Sequence, residues 1–176
     1  GRLIALGADE ARVKVMGSAK YDVAARDEGG EEKAREVLRA AGIQEGEPVL
    51  LGGSTWAGEE GMLLDAYKAL RTWNPGLTLV LVPRHVERTP EVLKDIADRG
   101  LTVARRTEIK GALPRRPSVI LVDTTGELKN FYACADVIFV GKSLTHHGGQ
   151  NIIEPALYGK PIVVGPNMEN FRGVVD

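Results

Sequence analysis

Short runs of valine, leucine and isoleucine recur along this chain, and each is followed by a longer amphipathic stretch. That alternation restricts the fold more than any other feature. The expected strands are Val13–Met16, Pro48–Leu51, Leu77–Val82, Leu101–Ala104, Ser118–Val122, Val137–Val140 and Pro161–Val164. Most lack polar alternation, as strands covered on both faces do. Strands alternating with helices imply a parallel α/β sheet flanked by helices.

The helical stretches carry their own punctuation. Glu32–Ala41 stops before Gly42, a residue suited to the left-handed position after a helix. Gly58–Trp73 sets Met62, Leu63, Ala66 and Leu70 at helical spacing and halts at Asn74-Pro75-Gly76. Thr89–Arg99 has Thr89 as N-cap and Pro90 in the first helical position. Leu128–Cys134 and Ile152–Tyr158 are short helices. The polar stretch Asp27–Gly30 reads as a loop leading into a helix, with Glu31 and Glu32 suiting the helix start.

In open α/β sheets, ligands bind beyond the carboxyl ends of the strands. Here the unusual polar residues crowd those ends: GGSTWAGEE, PRHVER, DTTGELKNFY, GKSLTHHGGQNIIEPA and GPNMENF. Gly52-Gly53-Ser54-Thr55 reads as a strand-to-helix turn, either for an anionic oxygen or simply capped by Ser54 or Thr55. Pro83 aims Arg84 and His85; Arg84 can grip a phosphate or carboxylate, or sit in a surface salt bridge. Gly126-Glu127-Leu128 either faces a base edge or opens a helix with an acidic first turn. Gly148-Gly149-Gln150-Asn151 leads into a helix whose free N–H groups suit a phosphate. Asn151 is the expected N-cap, and Glu154 either completes a capping box or points at ribose hydroxyls.

Composition narrows the classes. With 23 basic and 24 acidic residues among 176, the formal net charge is -1, which gives no support for bulk nucleic-acid binding. The single cysteine, Cys134, can form no intrachain disulfide and reads as a small buried hydrophobe. His146 and His147 lack a Cys or carboxylate partner at metal-ligand spacing, so no metal is expected. No apolar run approaches the roughly 18–20 residues that a membrane span needs. The abrupt start and finish suggest a piece of a longer chain.

Taken in order, GSAKYD, STWAGEE with LLDAYKALR, LVPRHVER, LVDTTGELKNFYACADVIFVGKSL and GGQNIIEPALYGKPIVVGPNMENF resemble the C-terminal domain of bacterial 3-deoxy-D-manno-octulosonic acid (Kdo) transferases, over about Arg2 to Val175. The resemblance implies the GT-B architecture, with two Rossmann-like domains facing across a cleft. It implies an inverting transfer of Kdo from CMP-Kdo to a lipid A precursor in lipopolysaccharide core synthesis, with no metal in the catalytic step and no cofactor beyond the donor substrate. Residues 1–22 would be a hinge segment and 23–176 the donor-binding domain. The acceptor site, the membrane-associating surface and the acidic catalytic base would belong to the N-terminal domain, so no catalytic residue is expected in this chain. The enzyme would work at the cytoplasmic face of a bacterial inner membrane.

On the matching motifs, the resemblance implies donor contacts from Lys20, Ser54, Thr55, Arg84, His85, Gly126, Glu127, Leu128, Gly148, Gly149, Gln150, Asn151 and Glu154. Lys20 would lie near the hinge, and Asn170 in the Met-Glu-Asn-Phe segment. Where many members have His, Pro and Gly, this chain has Gln150, Ile152 and Lys142. Two other readings are a GT-B relative using another sugar nucleotide such as UDP-GlcNAc, and a non-catalytic nucleotide-binding module.

Overall fold

In the computed structural model, which describes residues 1–14 and 26–175, six strands form one parallel sheet. They are β1 (Val49–Thr55), β2 (Thr78–Pro83), β3 (Val103–Arg105), β4 (Val119–Leu121), β5 (Val137–Val140) and β6 (Ile162–Val163). Their order is β3-β4-β2-β1-β5-β6, and every pairing is parallel. The helices are α1 (Arg2–Ala5), α2 (Glu28–Ala40), α3 (Glu59–Arg71), α4 (Thr89–Asp98), α5 (Leu128–Phe131), α6 (Ile153–Ala156) and α7 (Arg172–Val175). Six of the expected strands are present within a few residues of their predicted bounds. Of Val13–Met16, Val13 and Lys14 belong to no strand, and the remainder lies outside the described residues, as does Lys20. No helix among the described residues is long and apolar enough to cross a membrane.

The apolar runs work on both sides of the sheet. Val49, Leu51, Val80, Val82, Ile120, Val122, Ile138 and Val140 pack with Val37 and Leu38 of α2 and Phe131 of α5. Their alternate neighbours Leu50, Leu79, Leu81, Val119, Leu121 and Phe139 pack with Leu63, Leu64 and Tyr67 of α3 and Val92 and Ile96 of α4. A strand with one helix layer on each face has no polar side to show, so its sequence reads as an unbroken apolar run. Tyr67 is fully buried and satisfies its hydroxyl by donating to the Ser118 carbonyl at 2.7 Å.

Four local expectations are corrected. Asp27–Gly30 is no loop leading in: α2 begins at Glu28, with Asp27 accepting from the Gly30 N–H at 3.0 Å. Gly30 lets Asn130 pack close to α2: a Cβ would lie 2.2 Å from Asn130 Oδ1, so the amide would have to shift. In α3 the inward stripe is Leu63, Leu64 and Tyr67, while Met62 and Leu70 are about half exposed (52% and 48%). The helix is rotated by about one residue position from the expected face, because the buried carboxylates at its start settle its orientation. Thr89 is the first residue of α4, not its cap, and its hydroxyl donates to the Val86 carbonyl. Gly52-Gly53-Ser54-Thr55 belongs to β1 and is not a turn. A Cβ at Gly52 would meet Leu63 at 2.7 Å and Leu81 at 3.0 Å, so the glycine serves close packing.

Cys134 is half-buried, and burial pushes its thiol from 9.0 up to about 11. The native protein should therefore alkylate slowly at pH 8, with roughly a hundredfold less thiolate than an ordinary cysteine. Iodoacetamide rates compared with and without denaturant check this. Equal rates would overturn it.

Candidate functional site

Because every strand is parallel, all six carboxyl ends meet one edge of the sheet. The chain leaves β1 towards β2 on one side and later returns to place β5 on the other. Such a reversal opens a crevice at the strand ends. A cleft of about 330 Å³ lies there. Ser54, next to the last residue of β1, lies beneath it, and Val82, Pro83 and Arg84 enter from the end of β2. Thr124, Thr125 and Gly126 come from beyond β4, with Leu128, Lys129 and Tyr132 from the helix that follows. Val140, Gln150, Asn151 and Glu154 complete the wall from β5 onward.

Ser54 has φ 51, in the left-handed region, where the β1–β2 register slips between Gly53 and Thr55. This bulge turns the serine out of the ladder. Its backbone is gripped from behind: a Cβ on Gly141 would stand 2.3 Å from the Ser54 carbonyl oxygen. Arg84 is exposed, its N–H donates to the Thr55 carbonyl at 3.0 Å, and no carboxylate among the described residues pairs with its guanidinium. The surface salt bridge considered for Arg84 is therefore absent among those residues, and the cation is free within the cleft.

Asn151 and Glu154 meet as well as share the wall. Asn151 Oδ1 accepts the Ile153 N–H at 3.0 Å, and its amide donates to Glu154 Oε1 at 3.2 Å. Asn151 thus caps from one position before the N-cap residue of α6, which is Ile152. The rest of the Glu154 carboxylate stays exposed. Beside it, burial first and the Glu154 charge second raise the pKa of the Tyr132 phenol, which keeps it a neutral O–H. Lys129 pairs with Asp27 at 3.0 Å. Neither Tyr132 nor Lys129 was singled out from sequence, although both stand in the same ELKNFY run as Leu128.

Other expected residues lie off the cleft. Thr55 has no accessible surface, and its hydroxyl donates to Glu60 at 2.8 Å. His85 is exposed, faces Glu87 at 3.3 Å and meets the Trp56 ring edge-on. Glu127 accepts from the Thr124 hydroxyl and from Arg106, so its side chain ties down the turn. Gly148 and Gly149 are buried, with φ of 98 and 66, beneath Asn170 and Met168. The Gly148 N–H is already taken by Glu169 at 2.7 Å. The hydrogen bond with His147, with those from backbone N–H groups, holds the Glu169 carboxyl down at about 2. That tie stands at neutral pH and is lost only as the pH falls towards 2. The N–H groups of Gly149, Gln150, Asn151 and Ile152 have no acceptor among the described residues, and of these Gln150 and Asn151 line the cleft. The helix behind them has one turn, so its dipole adds little.

Two carboxylates of α3 hold the rim in place. Glu59 has no accessible surface and accepts N–H groups from Trp56, Lys142, Ser143 and Leu144 at 2.8–3.1 Å. Glu60, equally buried, takes the Thr55 hydroxyl and a two-pronged contact from Arg88. The sequence pattern singles out neither of these two. A second cavity, about 340 Å³, lies by Arg39, Asp136 and Lys160 at the opposite strand ends. Its Asp136 is spent on the Val49 N–H. No group of three or more possible metal ligands exists among the described residues.

No family model matches the chain. It is 38% identical over 161 residues to 3-deoxy-D-manno-octulosonic acid transferase of Bordetella pertussis, covering 90% of this chain and 36% of that protein. The Haemophilus influenzae protein of the same description is 35% identical over 173 residues, covering 97% and 39%. The crystal structure of the C-terminal CMP-Kdo binding domain of WaaA from Acinetobacter baumannii matches at TM-score 0.75 and 34% identity, over 85% of this chain and 77% of that one. The chain thus spans well under half the length of both curated relatives.

Proposed function

This chain belongs to the Kdo transferase family, matching its C-terminal domain, and on that premise we propose that the cleft binds CMP-Kdo as the donor of an inverting glycosyltransferase. The observation that supports this most is convergence. Ser54, Arg84, Gly126, Leu128, Gln150, Asn151 and Glu154 come from four strand ends to one cleft, and Arg84 is unpaired among the described residues. The donor phosphate sits against Arg84, the Ser54 hydroxyl and the free N–H groups of Gln150 and Asn151. Glu154 takes ribose hydroxyls, oriented by Asn151. The base lies over Gly126 and Leu128. Positive charge at the phosphate lowers the barrier to breaking the bond between sugar and phosphate, because CMP leaves as an anion.

Transfer itself belongs to the whole enzyme. The acceptor, a lipid A precursor at the cytoplasmic face of the inner membrane, and the base that deprotonates it are assigned to the part of the family's length that this chain does not span. No metal or further cofactor enters this reading.

Titration calorimetry with CMP is the test. The chain binds CMP, and Arg84→Ala weakens binding about tenfold, the scale of one charge-assisted hydrogen bond. Glu154→Ala weakens it about fivefold, the loss of one or two hydroxyl contacts. Unchanged affinity in both variants would remove the site assignment.

A further inference from the structure

One cluster at the ligand edge of the sheet remains without a role. Trp56 follows β1, His85 follows β2, and Lys142 and His146 follow β5. The Lys142 ammonium stands 5.1 Å from the centre of the Trp56 ring. The His85 ring meets the same indole edge-on at 5.4 Å, and the His146 ring lies tilted against it at 4.7 Å. The indole N–H is buried without an acceptor among the described residues. Lys142 has φ 61, a backbone state that non-glycine residues rarely adopt, and Glu59 pins its N–H. A constrained backbone therefore holds the ammonium on the ring.

The cluster is rich in donors and poor in acceptors. Among the described residues no carboxylate pairs with the Lys142 ammonium. Glu87 is engaged with His85, and Glu169 with His147 and the Gly148 N–H. The ammonium also stands near Gly148, on which a Cβ would lie 3.9 Å from Nζ. A cation held on an aromatic face, with no counter-charge, suits an incoming anion.

We propose that Lys142, seated on Trp56, binds the carboxylate of the donor sugar and so selects an acidic sugar over a neutral one. The proposal rests on reading the cleft as the CMP-Kdo site. In an ulosonic acid joined to CMP through its keto carbon, the carboxylate and the phosphate hang from the same carbon. A phosphate on the Gln150 N–H, at the cleft wall, leaves the carboxylate free to reach back along the loop. The loop leads back to Gly148, beside which the Lys142 ammonium stands.

The test compares CMP with CMP-Kdo, read by Trp56 fluorescence in a Trp73→Phe background. Trp73, the second of the two tryptophans, is 88% exposed and away from the site. The expected result is that CMP-Kdo binds about tenfold more tightly than CMP, one charge-assisted contact's worth. Lys142→Gly, which relaxes the backbone at φ 61 and so folds, brings that ratio below about twofold. Lys142→Arg restores most of it. An unchanged ratio in Lys142→Gly overturns the proposal. So does an equal weakening of both ligands, because the ammonium would then serve the phosphate. Failure of the unaltered protein to bind CMP at all is a separate result: it removes the reading of the cleft, and the carboxylate subsite falls with it.

Discussion

Glu59→Ala should lower the unfolding free energy by about 4 kcal/mol, a loss normally reserved for large core truncations. Glu59 is a fully buried carboxylate that accepts four backbone N–H groups. Alanine leaves all of them without an acceptor. Each orphaned buried donor costs about 1–3 kcal/mol, and water can reach those that are only partly buried, which keeps the total below the sum. Glu59→Gln keeps one acceptor oxygen but turns an amide NH₂ towards N–H groups, so about half the loss remains. Urea unfolding at neutral pH measures both variants. A loss under about 1 kcal/mol for Glu59→Ala would mean that the loop after β5 is held by other contacts.

The second large effect is expected from a single methyl group. Gly141→Ala places a Cβ 2.3 Å from the Ser54 carbonyl oxygen and 2.6 Å from the Thr55 α-carbon. Both obstacles are backbone, so no side chain can swing aside. The Gly141 N–H also holds the end of β1, by donating to the Gly53 carbonyl at 2.9 Å. Relief requires β1 and β5 to part where Ser54 enters the cleft. The expected loss is about 3 kcal/mol, the upper range for overpacking. CMP affinity falls with it, because Ser54 is displaced. Gly111→Ala is the control: nothing lies within 4 Å of a Cβ there. Equal stability for the two variants, by thermal unfolding, would show that the contact between the strand ends yields.

What the residue pattern discloses, and what it hides, divides along the range of the interactions. The parallel sheet is legible because each buried strand shows its own apolar run, as Val137–Val140 does. The position of the cleft follows from it, because parallel strands send every carboxyl end to one edge. That is why Ser54, Arg84, Gly126, Leu128, Gln150, Asn151 and Glu154, named from scattered motifs, line one wall. The inward face of α3 is not legible. Met62 and Leu70 carry the apolar signal, yet the helix is oriented by Glu59 and Glu60, whose partners include Lys142, 83 positions away, and Arg88, 28 away. The glycines of β1 mislead for the same reason. Their small size answers to Leu63 and Leu81, which nothing local reveals. Gly148 carries a correct backbone signal, with positive φ, but its N–H is answered by Glu169, 21 positions on.

The slipped register at Ser54 has one more consequence. The residue at the slip and the one after it look in opposite directions: Ser54 opens to the crevice, while Thr55 is locked inward onto Glu60. Neighbours along a pleated strand point to opposite faces, so these adjacent hydroxyls form a pair with divided labour, one facing the crevice and one anchoring the frame. Sliding the chain by one residue would exchange their duties, so an insertion or deletion of one residue here would harm the fold and the pocket together.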